Sequence, residues 1–142
     1  MKESFTKEDA EKFKNLGNEQ FKLFNFSNAL KHYDQSIEID PSNPVYHCNR
    51  ATVLLKLDRY QDAEYSATES IALDNRYIRA YLRKAEALKK MDKNREAIAM
   101  YNAVINLDPN NQEALDGVRV KDPIDLMGNV TKGFVDEGCK TQ

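Results

Sequence analysis

A period of about 34 residues runs through this chain and constrains its fold more than any other feature. Small residues recur at this spacing in two series, and so do an isoleucine and an aspartate. The four series are Gly17/Ala51/Ala85, Ala29/Ala63/Ala97, Ile37/Ile71/Ile105 and Asp40/Asp74/Asp108. A period of this length is typical of helix–turn–helix units that stack side by side. We therefore expect an all-α solenoid, which offers a concave groove rather than a deep catalytic pocket.

Composition and charge exclude several other classes of protein. Hydrophobic residues make up 41% of the 142 residues and charged residues 31%, as in an ordinary globular domain. No apolar run approaches the roughly 20 residues of a membrane helix, and the net charge of −2 argues against a nucleic-acid partner. The polar N-terminus is unlike a secretory signal, which favours a cytoplasmic location. Cys48 and Cys139 lack metal-ligand spacing, so we expect free thiols, no metal and no cofactor.

The boundaries of the helices follow from capping and proline signals. Thr6 and Asp9 form a capping box that can start the first helix, along which Leu16 and Phe24 follow the apolar helical spacing. The Asp-Pro pairs at 40–41 and 108–109 end helices, because proline disfavours helical geometry in the preceding residue. The remaining periodicity predicts further helices near 44–57, 61–72, 77–90 and 94–106.

The recurring small residues indicate where paired helices approach closely, and the large aromatic residues indicate what fills the space between them. We expect the aromatic residues to pack between repeats rather than to bind a ligand. They are Phe13, Tyr33, Tyr60, Tyr81 and Tyr101.

The segments Phe13-x2-Leu16-Gly17, Ala29-x3-Tyr33 and Pro41 resemble the tetratricopeptide-repeat pattern, although Gln20 replaces a usual aromatic residue. The resemblance implies three repeats in a right-handed superhelix, followed by a polar capping helix at about 111–120. It places the domain at residues 8–120, with repeats at about 10–43, 44–77 and 78–111. Residues 121–142 break the repeat phase and are expected to be a linker, a docking segment or a short helix.

One face of the first helix of each repeat is predicted to line the concave groove. At about 100° per residue, six positions of each such helix fall within an arc of about 120°. Seven of these eighteen residues are basic and two are acidic, a balance of +5, so the rest of the chain carries −7. A positive groove in an otherwise acidic protein favours an anionic partner. The eighteen are Glu11, Lys14, Asn15, Asn18, Phe21, Lys22, Val45, Cys48, Asn49, Thr52, Leu55, Lys56, Arg79, Leu82, Arg83, Glu86, Lys89 and Lys90.

Five of the groove residues form a more specific pattern. Lys14/Asn18 and Arg79/Arg83 are i,i+4 pairs that project side by side, and Asn49 lies one repeat before Arg83. Cations combined with directional amide donors suit a carboxylate better than a diffuse polyanion.

These five residues resemble the two-carboxylate clamp of chaperone-binding tetratricopeptide domains, as in the heat-shock organising protein. Arg79 stands where that family has a lysine. The resemblance implies a ligand, the C-terminal Glu-Glu-Val-Asp of heat-shock proteins 90 and 70. Lys14, Asn18 and Asn49 would hold its terminal carboxylate, with Arg79 and Arg83 on its acidic side chains. The neighbouring pocket residues would be Phe21, Thr52, Leu55, Lys56 and Glu86.

Two other functions remain open from the sequence. Catalysis has little support, because the only histidines, His32 and His47, lie on different helices and no phosphate-binding glycine loop is present. A scaffold that binds an internal segment of a non-chaperone partner is the main alternative. Blocking the C-terminus of the peptide would leave its affinity for such a scaffold unchanged, whereas it would greatly lower the affinity for the clamp.

Overall fold

The computed structural model describes residues 4–119, which contain seven α-helices and no β-strand. The four helices predicted between residues 44 and 106 each begin and end within one residue of the expected bounds. Among these seven, no helix has the length and apolarity needed to span a bilayer. The helices are α1 (Lys7–Lys22), α2 (Phe26–Ile39), α3 (Pro44–Lys56), α4 (Tyr60–Leu73), α5 (Ile78–Lys90), α6 (Asn94–Leu107) and α7 (Gln112–Gly117).

The predicted capping box starts α1. The Thr6 hydroxyl accepts a hydrogen bond from the Asp9 backbone N–H at 3.2 Å, and the Asp9 carboxylate accepts one from the Thr6 backbone N–H at 2.8 Å. This backbone hydrogen bond from Thr6 lowers the pKa of Asp9. The entry into α1 is thus fixed by residues that the sequence alone identifies.

Consecutive helices pack against each other, and the helix pairs α1/α2, α3/α4 and α5/α6 stack in chain order. The first helices of neighbouring repeats also meet, as shown by the contacts between α3 and α5. The short α7 packs on α6 and buries Ala114 in the last core cluster. The result is the predicted all-α solenoid of repeated helix pairs.

The recurring small residues are buried where the helices meet, as the period predicts. Ala51, Ala63 and Ala85 have no exposed surface. A Cβ atom added to Gly17 would lie 2.6 Å from the Tyr33 ring, so only glycine allows this approach of α1 and α2.

A second repeated contact, not expected from the sequence, joins each of the first two helix pairs. Ser36 donates a hydrogen bond to the Ala10 carbonyl at 2.8 Å, and Ser70, one repeat later, donates one to the Pro44 carbonyl at 2.7 Å. Both serines are fully buried. The third repeat has Val104 at this position, so it packs an apolar side chain there instead.

Two expectations about packing on the first helix are wrong. Leu16 and Phe24, expected on the apolar face of the first helix, are 42% and 78% exposed. The reason for Phe24 is that α1 ends at Lys22 and Phe24 adopts a left-handed conformation with φ of 62°. The capping helix, expected at about 111–120, is α7 at Gln112–Gly117, with Asn111 as its N-cap and Val118 as its C-cap. The expectations for residues 121–142, including Cys139, lie outside the described residues.

Candidate functional site

A small cavity opens on the concave face where α1, α2, α3 and α5 meet. Its volume is about 90 Å³, which is room for a group the size of a carboxylate. We call it the central pocket. It contains three of the five predicted clamp residues, and its walls are Asn18, Phe21, Tyr33, Asn49, Thr52 and Arg79.

The orientation of Asn18 is set by a tyrosine of the neighbouring helix. The Tyr33 hydroxyl donates a hydrogen bond to the Asn18 side-chain oxygen at 2.6 Å. Burial raises the pKa of Tyr33 to about 12, so this hydroxyl is protonated and able to donate at neutral pH. Because the oxygen of Asn18 is engaged, its amide nitrogen is left as a donor for a ligand.

Arg79 orients Asn49 in the same way. Arg79 Nη2 donates a hydrogen bond to the Asn49 side-chain oxygen at 3.3 Å. A guanidinium has no acceptor, so it is the oxygen of Asn49 that must face it, and the amide nitrogen remains free to donate. Asn49 is only 7% exposed, which holds this arrangement in place. Arg79 itself has no carboxylate within ion-pair distance among residues 4–119.

The other two predicted clamp residues, Lys14 and Arg83, do not line the central pocket and are paired with carboxylates of the chain itself. Lys14 Nζ lies 2.9 Å from Glu11. Arg83 lies 3.1 Å from Glu86 and 3.3 Å from Glu113 of α7. These pairs are partly exposed, and ion pairs of this kind contribute little to stability.

The remaining predicted pocket residues fall in different places. Phe21 and Thr52 line the central pocket, and the Thr52 hydroxyl donates to the Cys48 carbonyl at 3.0 Å. Leu55 is instead part of the core beside Leu54, because its position on α3 faces Ala63 of α4 and Ala87 of α5. Lys56 is exposed at the end of α3, and Glu86 lines a different cavity.

That second cavity, here the distal pocket, has a volume of about 290 Å³. It is equivalent to the central pocket two repeats further along the chain, with Glu86 in the place of Asn18 and Tyr101 in the place of Tyr33. Its charge is opposite to that of the central pocket, because three acidic residues line it. Lys89, which also lines it, lies 6.0 Å from the centre of the Tyr101 ring. Its walls are Glu86, Lys89, Tyr101, Glu113, Asp116 and Gly117.

Cys48, expected on the concave face, is fully buried in α3. Burial raises the pKa of its thiol, so the thiol stays protonated and unreactive at neutral pH. Leu82, from the same predicted face, is also buried at 5% exposure. The predicted face was too wide because some of its positions point into the contacts between neighbouring first helices.

The sequence analysis missed two functional candidates. Tyr33 was assigned to packing alone, yet its hydroxyl orients Asn18. Glu113 was left out because the predicted face stopped at the third repeat. A signal for it existed, since Glu113 lies three repeat periods after Glu11 and thus occupies the same helical position.

Models of the tetratricopeptide repeat match residues 10–43, 32–65 and 78–111. The fold also superposes on a solved structure described as the first such domain of Spaghetti (RPAP3) bound to the HSP90 peptide SRMEEVD. The TM-score is 0.80 at 33% identity, covering 82% of this chain and 92% of the other. The chain belongs to the tetratricopeptide-repeat family. The middle match begins within α2, covers α3 and ends within α4, so its phase differs from that of the other two.

Two further proteins are similar to this chain. The Protein STIP1 homolog of Dictyostelium discoideum is 36% identical over 129 residues, which is 85% of this chain but 23% of the relative. The second tetratricopeptide domain of human RPAP3, solved in complex with the HSP70 peptide SGPTIEEVD, has a TM-score of 0.75 at 32% identity. It covers 78% of this chain and 92% of its own length. The chain thus spans less than a quarter of the length of this curated relative.

Proposed function

We propose that the concave groove binds the C-terminal acidic tail of heat-shock protein 90 or 70 and that the domain is a chaperone-docking module of a co-chaperone. The observation that carries this proposal is the pairing of Asn18 and Asn49 at one pocket. Each has its side-chain oxygen engaged within the protein, so each keeps an amide donor for a ligand. Arg79, with no carboxylate partner among residues 4–119, supplies the charge.

A chain terminus suits this set of donors. The last residue of the peptide Glu-Glu-Val-Asp carries two carboxylates, one on the main chain and one on the side chain. Asn18 and Asn49 would bind the main-chain carboxylate with help from Lys14, and Arg79 and Arg83 would bind acidic side chains. Charge-assisted hydrogen bonds of this kind are about twice as strong as neutral ones.

The similar structures support the choice of partner. Two of them hold peptides that end in the same four residues, SRMEEVD from HSP90 and SGPTIEEVD from HSP70. The shared ending supports recognition of the terminal residues themselves. We propose that this segment acts by binding rather than by catalysis, and that it does so in the cytoplasm.

Arg79→Ala tests the proposal in a titration calorimeter with SRMEEVD. We expect peptide binding to weaken at least ten-fold, roughly 1.4 kcal/mol or more, because the cation that lines the central pocket is lost. Circular dichroism should show unchanged helicity, since Arg79 is exposed. Arg76→Ala, an equal change of charge in the exposed turn before α5, is the matched control and should bind like the parent. Equal binding by Arg79→Ala and Arg76→Ala would favour a scaffold that recognises an internal segment.

A further inference from the structure

Arg83 carries more negative charge around it than it can neutralise. Its Nη1 atom donates to Glu86 at 3.1 Å, and its Nη2 atom donates to both oxygens of Glu113, at 3.4 and 3.3 Å. One positive charge is therefore surrounded by two negative ones. The Nε atom of Arg83 is buried and makes no hydrogen bond among the described residues. In this arrangement the carboxylates of Glu86 and Glu113 repel an incoming carboxylate until one of them moves away from Arg83.

We propose that Glu113 of the capping helix competes with the ligand for Arg83 and so determines the affinity and the charge selectivity of the groove. This inference rests on the proposed function, because it concerns an acidic side chain of the bound peptide. A ligand glutamate would take the place of Glu113 and could also accept from the unpartnered Nε. A neutral glutamine at the same place in the peptide could not displace a charged carboxylate from the guanidinium.

Glu113, rather than Glu86, is the partner that moves most easily. Glu86 lies on α5 itself, three residues after Arg83, and makes the shorter contact. Glu113 reaches across from α7, its contacts are longer, and its side chain is 48% exposed. An exposed, long ion pair of this kind contributes little to stability and is readily exchanged.

The first repeat contains the same device at the other end of the groove. Glu11 occupies the helical position of Glu113 and lies 2.9 Å from Lys14, the other outer cation. In the third repeat this helical position, the one of Glu11 and Glu113, is occupied by Arg79 itself. Arg79 forms no ion pair with a carboxylate among residues 4–119. The chain thus masks the outer cations with its own glutamates and leaves the central donors free, so the ligand binds in the centre without competition and at Arg83 with competition.

The experiment titrates SRMEEVD into the parent, Glu113→Gln and Asp116→Asn. Asp116 is the matched control, because it lies on α7, carries the same charge and contacts Gln112 and Arg119 rather than Arg83. We expect Glu113→Gln to bind roughly three- to ten-fold tighter than the parent and Asp116→Asn to stay within two-fold of it. Glu113→Gln binding no tighter than Asp116→Asn, or weaker than the parent, overturns the inference.

Two further measurements separate this inference from the function on which it rests. The C-terminally amidated peptide tests the function, because equal binding of the amide and the free acid to the parent removes the clamp itself and the inference with it. Preference of the parent for the free acid, together with no gain in Glu113→Gln, removes the competition alone. In an Arg83→Gln background the gain from Glu113→Gln should vanish. A gain that persists there assigns the effect to general charge rather than to Arg83.

Discussion

The Arg79 guanidinium lies 3.3 Å from the side-chain oxygen of Asn49 and joins the first helices of the second and third repeats. This contact decides which end of the Asn49 amide faces the ligand. It also means that Arg79 does two things, because it orients a neutral donor and supplies the positive charge beside it. The central pocket is therefore organised before any ligand arrives, which lowers the entropy that binding must overcome.

Asn49→Asp should weaken peptide binding without lowering the stability of the fold. The change is nearly isosteric and keeps an oxygen for Arg79, so we expect the thermal stability to be retained or to rise. Peptide binding should weaken at least ten-fold, about 1.4 kcal/mol or more, because a donor becomes a negative charge facing the ligand carboxylate. Calorimetry and a melting curve on the same sample check both. Asn102→Asp, an exposed position on α6, is the control for the added charge. Unchanged peptide affinity in Asn49→Asp would show that the ligand does not meet this amide.

Gly17→Ala should destabilise the domain, although alanine stabilises a helix by about 1 kcal/mol relative to glycine. Its new Cβ would lie 2.6 Å from the Tyr33 ring, and that ring is held by the hydrogen bond to Asn18. Overpacking of this kind costs about 1–3 kcal/mol, so after the gain in helix propensity we expect a net loss of up to about 2 kcal/mol in the free energy of unfolding, measured in urea. Asn15→Ala, an exposed change in the same helix, should stabilise slightly. A gain in both variants would mean that α1 and α2 are not closely packed here.

Phe24→Asn should stabilise the domain. Phe24 has φ of 62° and is 78% exposed, and its equivalents in the next two repeats are Asp58 and Asp92 at φ of 59° and 61°. Asparagine and aspartate tolerate this left-handed conformation, whereas other side chains lose about 1–2 kcal/mol in it. We expect the free energy of unfolding to rise by about 1 kcal/mol, and Asp58→Phe to lower it by a similar amount. A loss in Phe24→Asn would assign the larger energy to the edge-on contact of Phe24 with Phe26, whose ring centres are 5.9 Å apart.

Acid should weaken the fold partly through Glu11. Hydrogen bonds from Tyr46 and Lys14 lower the pKa of Glu11 below its usual value. A carboxylate with a lowered pKa stabilises the folded state at neutral pH, and this contribution is lost as the pH falls through the folded-state pKa. We therefore expect Glu11→Gln to be less stable than the parent at pH 7, with a difference that narrows toward pH 3. The side chain of Glu19 makes no hydrogen bond among residues 4–119, so Glu19→Gln is the control and should be as stable as the parent at pH 7. If the difference in stability between the parent and Glu11→Gln stayed the same from pH 7 to pH 3, this role of Glu11 would be contradicted.

The repeats were predictable because their period fixes where helices touch. Ala51, Ala63 and Ala85 are buried as expected, and the capping box of Thr6 and Asp9 begins α1. The end of α1 was not predictable from apolar spacing, since the left-handed turn at Phe24 normally carries a residue such as asparagine, aspartate or glycine. Leu55 and Cys48 show a second limit, because helical phase alone does not distinguish the groove from the contacts between first helices.

The candidate site was predictable in composition but not in its internal pairing. Spacing placed Asn18, Asn49 and Arg79 near one another, and they line one pocket. Spacing could not show that Tyr33 and Arg79 turn the two amides, because this depends on side-chain hydrogen bonds between different helices. It also could not show that Glu113 neutralises Arg83, since that contact spans 30 residues and requires the placement of α7.

The most direct test of the central claim is calorimetry of the unmodified domain with SRMEEVD as the free acid and as the C-terminal amide. The two peptides differ only in the terminal carboxylate, which the amides of Asn18 and Asn49 are proposed to bind. We predict that the amide binds at least ten-fold more weakly, about 1.4 kcal/mol or more, and that the affinity of the free acid falls as salt is added. Equal affinities for the free acid and the amide would contradict the account.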